Sequence, residues 1–101
     1  MATVRVTIFR RGNSCHVFPP RQKASRNDTV EIKAQNTPAV LYFTDNTVFG
    51  SSDEVVDIAS GGTAILTVQT NAPYGVHPYA VYCEDINDFA LGTSPPYMII
   101  E

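Results

Sequence analysis

The chain has 101 residues, of which 44% are hydrophobic and 17% are charged, and this composition excludes a disordered chain. The length suits one core, so we expect a single domain over residues 1–101. No run of 18 apolar residues is present, which excludes a membrane-spanning helix. The first nine residues alternate and lack the basic-then-apolar layout of an export signal, so an intracellular and an exported location both remain open.

Charge is unevenly distributed along the chain, whose net charge is −3. All seven Lys and Arg lie within residues 1–33, beside only two of the ten acids. Such asymmetry can indicate a charged binding face. A β-sandwich, however, would interleave its first and last strands and pair these charges. We therefore expect ion pairs between the two halves and no nucleic-acid partner.

Eight segments have the alternation or composition of β-strands, and turn residues separate them. In chain order they are Val4–Ile8, Cys15–Phe18, Thr29–Gln35, Ala39–Phe43, Val55–Ile58, Thr63–Val68, His77–Cys83 and Pro96–Glu101. The second must be an edge or irregular strand, because Pro19 and Pro20 cannot donate to a ladder. No window has helical periodicity with caps, although residues 85–90 could hold one short helical turn.

These strands predict an all-β fold, a two-sheet β-sandwich with antiparallel or mixed sheets. One face of the alternating strands should fill the core. Its predicted members are Val4, Val6, Ile8, Val30, Ile32, Leu41, Phe43, Leu66, Val68, Tyr79, Val81 and Ile99. Tyr82 has the opposite parity from Tyr79 and Val81, so its ring should face outward as part of an aromatic patch.

The C-terminal third contains a strand that ends in Tyr79-Ala-Val-Tyr-Cys83, then a loop and a last apolar strand. It resembles the end of a cupredoxin, the fold of the blue-copper proteins, which is a Greek-key β-sandwich of about seven to eight strands. The segment ending in Cys83 is similar to the Y-x-[FY]-x-C strand of that family. Pro38-Ala-Val-Leu-Tyr-Phe43 is similar to its P-H-N-V-x-F segment, where the His is a copper ligand. The resemblance covers most of the chain after residue 15, and it places Cys83 at the thiolate ligand.

The departures from the family pattern concern the other copper ligands. Ala39 stands where the first His would be, no His follows Cys83, and Met98 lies in the closing strand. A blue-copper centre needs two imidazoles and one thiolate in a trigonal plane. We therefore expect no type 1 copper site and no cofactor.

The topology that the resemblance implies brings Cys15, His16 and Cys83 to one pole, and three interpretations of them remain open. The two cysteines could be buried reduced thiols, or they could form a disulfide. Alternatively, the three residues could be soft ligands for zinc or Cu(I). Adjacent strand residues point to opposite faces, which disfavours joint ligation by Cys15 and His16.

An immunoglobulin-like sandwich is the structural alternative, since it also carries two distant cysteines. That fold packs a Trp on its disulfide and has a Tyr two residues before the second Cys. This chain has no Trp, and Val81 occupies the other position. The cupredoxin resemblance therefore describes the sequence better.

No catalytic constellation is visible, so we do not expect an enzyme. We expect a binding or structural module that acts through the loops at the Cys83 pole, with a protein partner or a second copy of itself. The alternative is an atypical metal-binding or electron-transfer protein using Cys83 with His16 or Cys15. The expected interaction surface comprises Arg10, Arg11, Tyr82, Glu84, Asp85 and Asp88. Arg10 and Arg11 should approach the acids of the loop after Cys83.

Overall fold

A computed structural model describes residues 2–44, 47–50, 55–90 and 96–101. These residues form ten strands and contain no helix, so no helix among them is long and apolar enough to cross a membrane. The strands are β1 (Thr3–Arg11), β2 (Ser14–Phe18), β3 (Arg21–Ala24), β4 (Thr29–Ala34), β5 (Ala39–Phe43), β6 (Val55–Ile58), β7 (Thr63–Thr67), β8 (Gly75–Cys83), β9 (Asp88–Phe89) and β10 (Tyr97–Ile100).

The strands form two sheets, as the sequence predicts. One has four strands in the order β2-β1-β4-β7. The other has six, in the order β3-β10-β8-β5-β6, with β9 also paired to β8. Both sheets are mixed, because β1 runs parallel to β4 and β10 runs parallel to β3, whereas their other neighbours are antiparallel. The all-β, two-sheet prediction is confirmed.

Two strands, β3 and β9, are additional to the eight predicted ones. β3 follows Pro19 and Pro20, and the bond between Phe18 and Pro19 is cis. Proline has no N–H donor, so the ladder of β2 ends there, and the chain crosses to the other sheet as β3. β9 lies within residues 85–90, for which the sequence allows one short helical turn. Instead, residues 84–87 form a turn that reverses the chain, and β9 pairs with the end of β8.

The core lies between the two sheets and follows the alternation of the strands. Eight of the predicted core residues are buried: Val6, Ile8, Val30, Ile32, Leu41, Val68, Tyr79 and Val81. Val4, Phe43 and Leu66 are partly buried and pack against that core. Val48 and Phe49 are also buried, although the surrounding polar segment predicts a loop. The predicted loop residues 45–46 and 51–54 lie outside the described residues.

The predicted register of the last strand is wrong by one residue. Met98 and Ile100 are buried, whereas Ile99 is only half-buried. Met98 lies opposite His77, which shares the inward parity of Tyr79 on β8. The apolar side chains of β10 occupy both parities, so only the pairing with β8 selects which of them enter the core.

A buried carboxylate fixes the start of β1 against the turn before β4. The Asp28 carboxylate accepts hydrogen bonds from the backbone N–H of Ser25 and of Ala2, both at 2.9 Å. These two bonds, Ser25 first, hold the pKa of Asp28 below its usual value because they stabilise the charged form. Asn27 adopts a positive φ of 73° in this turn, a conformation that Asn tolerates.

Candidate functional site at the Cys83 pole

The end of β8 carries Cys83 directly opposite Ala39 on the neighbouring strand β5. Both side chains are completely buried between the sheets. The pairing continues one step further, because the Glu84 N–H donates to the Pro38 carbonyl at 3.2 Å. A methyl group therefore faces the Cys83 side chain from the adjacent strand.

Another neighbour of Cys83 is Cys15, which approaches from the opposite sheet. The structure joins the two cysteines by a disulfide with a Cα–Cα distance of 6.5 Å, within the range that disulfides allow. Cys15 is also fully buried, and 68 positions separate it from Cys83. The bond crosses the core and ties β2 of one sheet to β8 of the other. This geometry corresponds to the disulfide interpretation of the three left open by the sequence.

His16 lies at the same pole but faces away from the two sulfurs. It follows Cys15 along β2, so its ring points to the outer side of the four-stranded sheet. There it stacks on Phe9, with ring centroids 5.4 Å apart and planes inclined by 24°. The structure therefore does not bring His16 together with Cys15 and Cys83 as a set of metal ligands.

His77 lies far from the cysteines, near the start of β8. Six residues of extended chain separate it from Cys83, which corresponds to about 20 Å. Its Nε2 is 2.7 Å from the Pro73 carbonyl oxygen. Within the described ranges, no three His, Cys, Asp or Glu side chains gather closely enough to hold a metal ion.

Charged residues from the two halves of the sequence meet at this pole. Arg10, near the end of β1, has its Nη1 4.0 Å from Asp85 Oδ2, which confirms the predicted approach of this arginine to the loop after Cys83. Two hydrogen bonds hold the backbone of Arg10 in place, because its N–H donates to Asn36 Oδ1 at 2.6 Å and its carbonyl accepts from Asn36 Nδ2 at 2.8 Å. Arg11 instead lies over the Phe9 ring, 5.8 Å from its centroid.

The aromatic part of the pole contains one residue that the sequence analysis missed. Tyr82 faces outward as predicted, and its hydroxyl donates to Asn87 Oδ1 at 3.2 Å. Phe89 lies opposite Tyr82 in the β8–β9 ladder, with the rings edge to face and their centroids 5.2 Å apart. About half of the Phe89 side chain is exposed (51%). Only the pairing of β9 reveals this neighbour.

Comparison with protein-family models and with curated proteins finds no match to this sequence. Solved structures do match. A purple cupredoxin from Nitrosopumilus maritimus gives a TM-score of 0.60 at 12% identity, over 97% of this chain and 99% of that one. An amicyanin variant in its Cu(I) form gives a TM-score of 0.59 at 15% identity, over 98% of this chain and 82% of that one. A pseudoazurin from Sinorhizobium gives a TM-score of 0.58 at 15% identity, over 100% of this chain and 75% of that one.

The chain has the cupredoxin fold. At these identities the similarity concerns the fold alone. Whether the cupredoxin fold of this chain could hold type 1 copper depends on its own donor atoms. The Cys83 sulfur is bonded to Cys15, Ala39 provides no donor, and the His16 ring lies on the outer side of the other sheet. Two imidazoles and a free thiolate are required, so the residues at this pole do not fit a type 1 site.

Proposed function

We propose that this domain is a cupredoxin-fold binding module that does not use copper and acts through the loops at the Cys83 pole. The observation that carries the proposal is the Cys15–Cys83 bond, because it occupies the sulfur that would otherwise be the thiolate ligand. The proposed role is not catalytic. Its partner would be another protein, contacted by a surface that mixes charged and aromatic side chains.

The disulfide supports this role by holding the pole rigid. It joins the two sheets where the loops after β1 and β8 emerge. Loops held in one arrangement lose less conformational entropy on binding, so more of the contact energy appears as affinity. The groups supported in this way are the exposed Arg11, Glu84, Asp85, Asp88 and Phe89 and the half-buried Arg10 and Tyr82. Aromatic and Arg side chains of this kind are frequent energetic centres of protein interfaces.

A metal titration tests the proposal. Cu(II) and zinc would be added separately to the oxidised protein, with visible absorption and native mass recorded. We expect no intense charge-transfer band and no metal bound at one equivalent per chain. Intact mass under denaturing conditions should rise by two hydrogens on reduction, which reports the disulfide. One equivalent of tightly bound copper in the oxidised protein would refute the proposal.

The binding role is tested with the immobilised domain. Proteins retained by the wild-type domain should be lost with Asp85→Arg, which reverses a charge at the pole. They should be kept with Ile65→Arg, a matched change at a residue of the opposite sheet that is 68% exposed. Partners retained equally by Asp85→Arg and wild type would place the interaction elsewhere.

The alternative function is an atypical metal or electron-transfer site, and it requires that the Cys15–Cys83 disulfide first be reduced. Reduction would leave two thiols side by side, and thiolates are good ligands for Cu(I). Cys15 and Cys83 would then be the ligands, without His16, because that ring stacks on Phe9. The same titration with Cu(I) under reducing conditions tests this alternative, and a Cys83→Ala variant should abolish any binding.

A further inference from the structure

The outer face of the six-stranded sheet carries most of the large hydrophobic side chains that are exposed among the described residues. We define this outer face by Tyr42, Val55, Val76, Ala80, Tyr82 and Phe89, whose positions in the ladders turn them away from the core. Of the seven large hydrophobic residues that are exposed in the described part of the chain, four belong to it: Tyr42, Val55, Val76 and Phe89. Their exposed fractions are 41%, 42%, 58% and 51%.

The cross-strand pairs place five of these six residues, all but Val76, in two adjacent rows. Tyr42 lies between Val55 of β6 and Ala80 of β8 in one row across the sheet. Tyr82 and Phe89 are paired in the row beside it. Contiguous exposed apolar patches on a soluble domain mark interaction sites more often than scattered single residues do.

Two opposite charges stand at opposite corners of this face. Arg21 lies on the edge strand β3, in the row of Tyr97 and Pro78. Asp57 lies on the other edge strand, β6, in the row of Val40 and Tyr82. Neither has an ion-pair partner among the described residues. The other cation of β3, Lys23, is already 3.6 Å from Glu101.

The two corners have opposite charges, and their positions on the face are exchanged by a two-fold rotation. β3 and β6 are four strand spacings apart, which is about 19 Å, and the rows of Pro78 and Tyr82 differ by about 13 Å along β8. The midpoint of this diagonal falls at Ala80, a small side chain in the apolar centre. A rotation of 180° about an axis in the plane of the face, perpendicular to this diagonal, exchanges the two corners.

We propose that a second copy of this chain covers the outer face in a two-fold symmetric dimer. The rotation places Arg21 of each copy against Asp57 of the other, and the aromatic centres pack on each other. An isologous interface must be complementary to itself, and this face carries both members of a charge pair at exchangeable positions. A different protein as partner would not require this face to carry both members of a charge pair.

The size of the face predicts a weak dimer. It extends about 20 Å in each direction, which places the interface at the lower end of those that form specific complexes. We therefore expect a dissociation constant on the order of micromolar. The dimer would depend on salt, because its two ion pairs lie at the rim. The outer face shares Tyr82 and Phe89 with the proposed binding surface, but the two proposals are tested separately, because Arg21, Tyr42 and Asp57 lie outside that surface and neither the disulfide nor the metal titration reports on them.

Sedimentation velocity between about 1 µM and 1 mM tests the proposal through charge reversal. Arg21→Asp and Asp57→Arg should each weaken dimerisation about tenfold, because each replaces both attractive pairs with repulsive ones. The double variant should recover the wild-type affinity, since the pairs are re-formed with exchanged signs. Failure of the double variant to recover would overturn this geometry.

A second pair of variants tests the apolar centre. Tyr42→Arg should abolish the dimer, whereas Ile65→Arg, an equivalent change at an exposed residue of the other sheet, should leave it intact. Thermal unfolding of each variant would verify that it is folded. A protein that remains monomeric at 1 mM, or a dimer disrupted by Ile65→Arg but not by Tyr42→Arg, would overturn the proposal.

Discussion

Removing the disulfide should be among the most costly changes that this domain can undergo. In the chain-entropy description, a cross-link stabilises the fold by restricting the unfolded chain, and the effect grows with the length of the closed loop. The loop here spans 68 positions, which corresponds to about 4 kcal/mol at 25 °C. Domains of this size have total stabilities of about 5–15 kcal/mol. The double variant Cys15→Ala/Cys83→Ala should therefore unfold on the order of 20 °C below wild type.

Urea denaturation of the wild type, both single variants and the double variant separates a cross-link from two packed thiols. Either single substitution removes the entire cross-link, so the single and double variants should lose nearly the same free energy of unfolding. Two independent buried thiols would instead give losses that add. Wild-type protein unfolded and refolded in reductant should fall to the level of the double variant. An unchanged urea midpoint in reductant, or additive losses, would refute the reasoning.

Three smaller perturbations test the core and its polar contacts. Leu41→Ala should cost about 2–5 kcal/mol because that side chain is fully buried, whereas Ile65→Ala should stay within about 0.5 kcal/mol in the same urea experiment. Tyr79→Phe should be neutral or stabilising by thermal unfolding, since the buried Tyr79 hydroxyl has no hydrogen-bond partner among the described residues; a marked loss would contradict this. The depressed pKa of Asp28 predicts that stability is fully present above about pH 4 and is lost as pH falls further, and Asp28→Asn should flatten that part of the stability curve.

Much of the fold follows from local pattern. Alternation along β1, β4 and β8 predicts their inward residues, because successive side chains of a strand point to opposite faces whatever the strand pairs with. The same parity correctly directs Tyr82 outward. The resemblance around Pro38 and Cys83 also predicts that Ala39 lies beside Cys83, and the β5–β8 ladder confirms it.

Alternation along the sequence does not predict which residues of β10 face the core. Met98, Ile99 and Ile100 are all apolar, so alternation alone gives no preference for one parity over the other. Pairing with β8 makes the choice, and it buries Met98 and Ile100. The short strand β9 is undetectable for a related reason, since two residues are too few to show a period. Phe89 consequently reaches Tyr82 only through the tertiary fold.

The candidate site depends still more on contacts between distant residues. The sequence by itself determined that Cys83 ends a buried strand and that an imidazole is missing at position 39. It also determined that Cys15 and His16 have opposite parities. Only the tertiary structure decided that Cys15 approaches Cys83 across the core, and that Arg21 and Asp57 occupy opposite corners of one face. Strand parity is a property of a few neighbouring residues, whereas the pairing of strands and the packing of sheets are settled by the burial of the whole core.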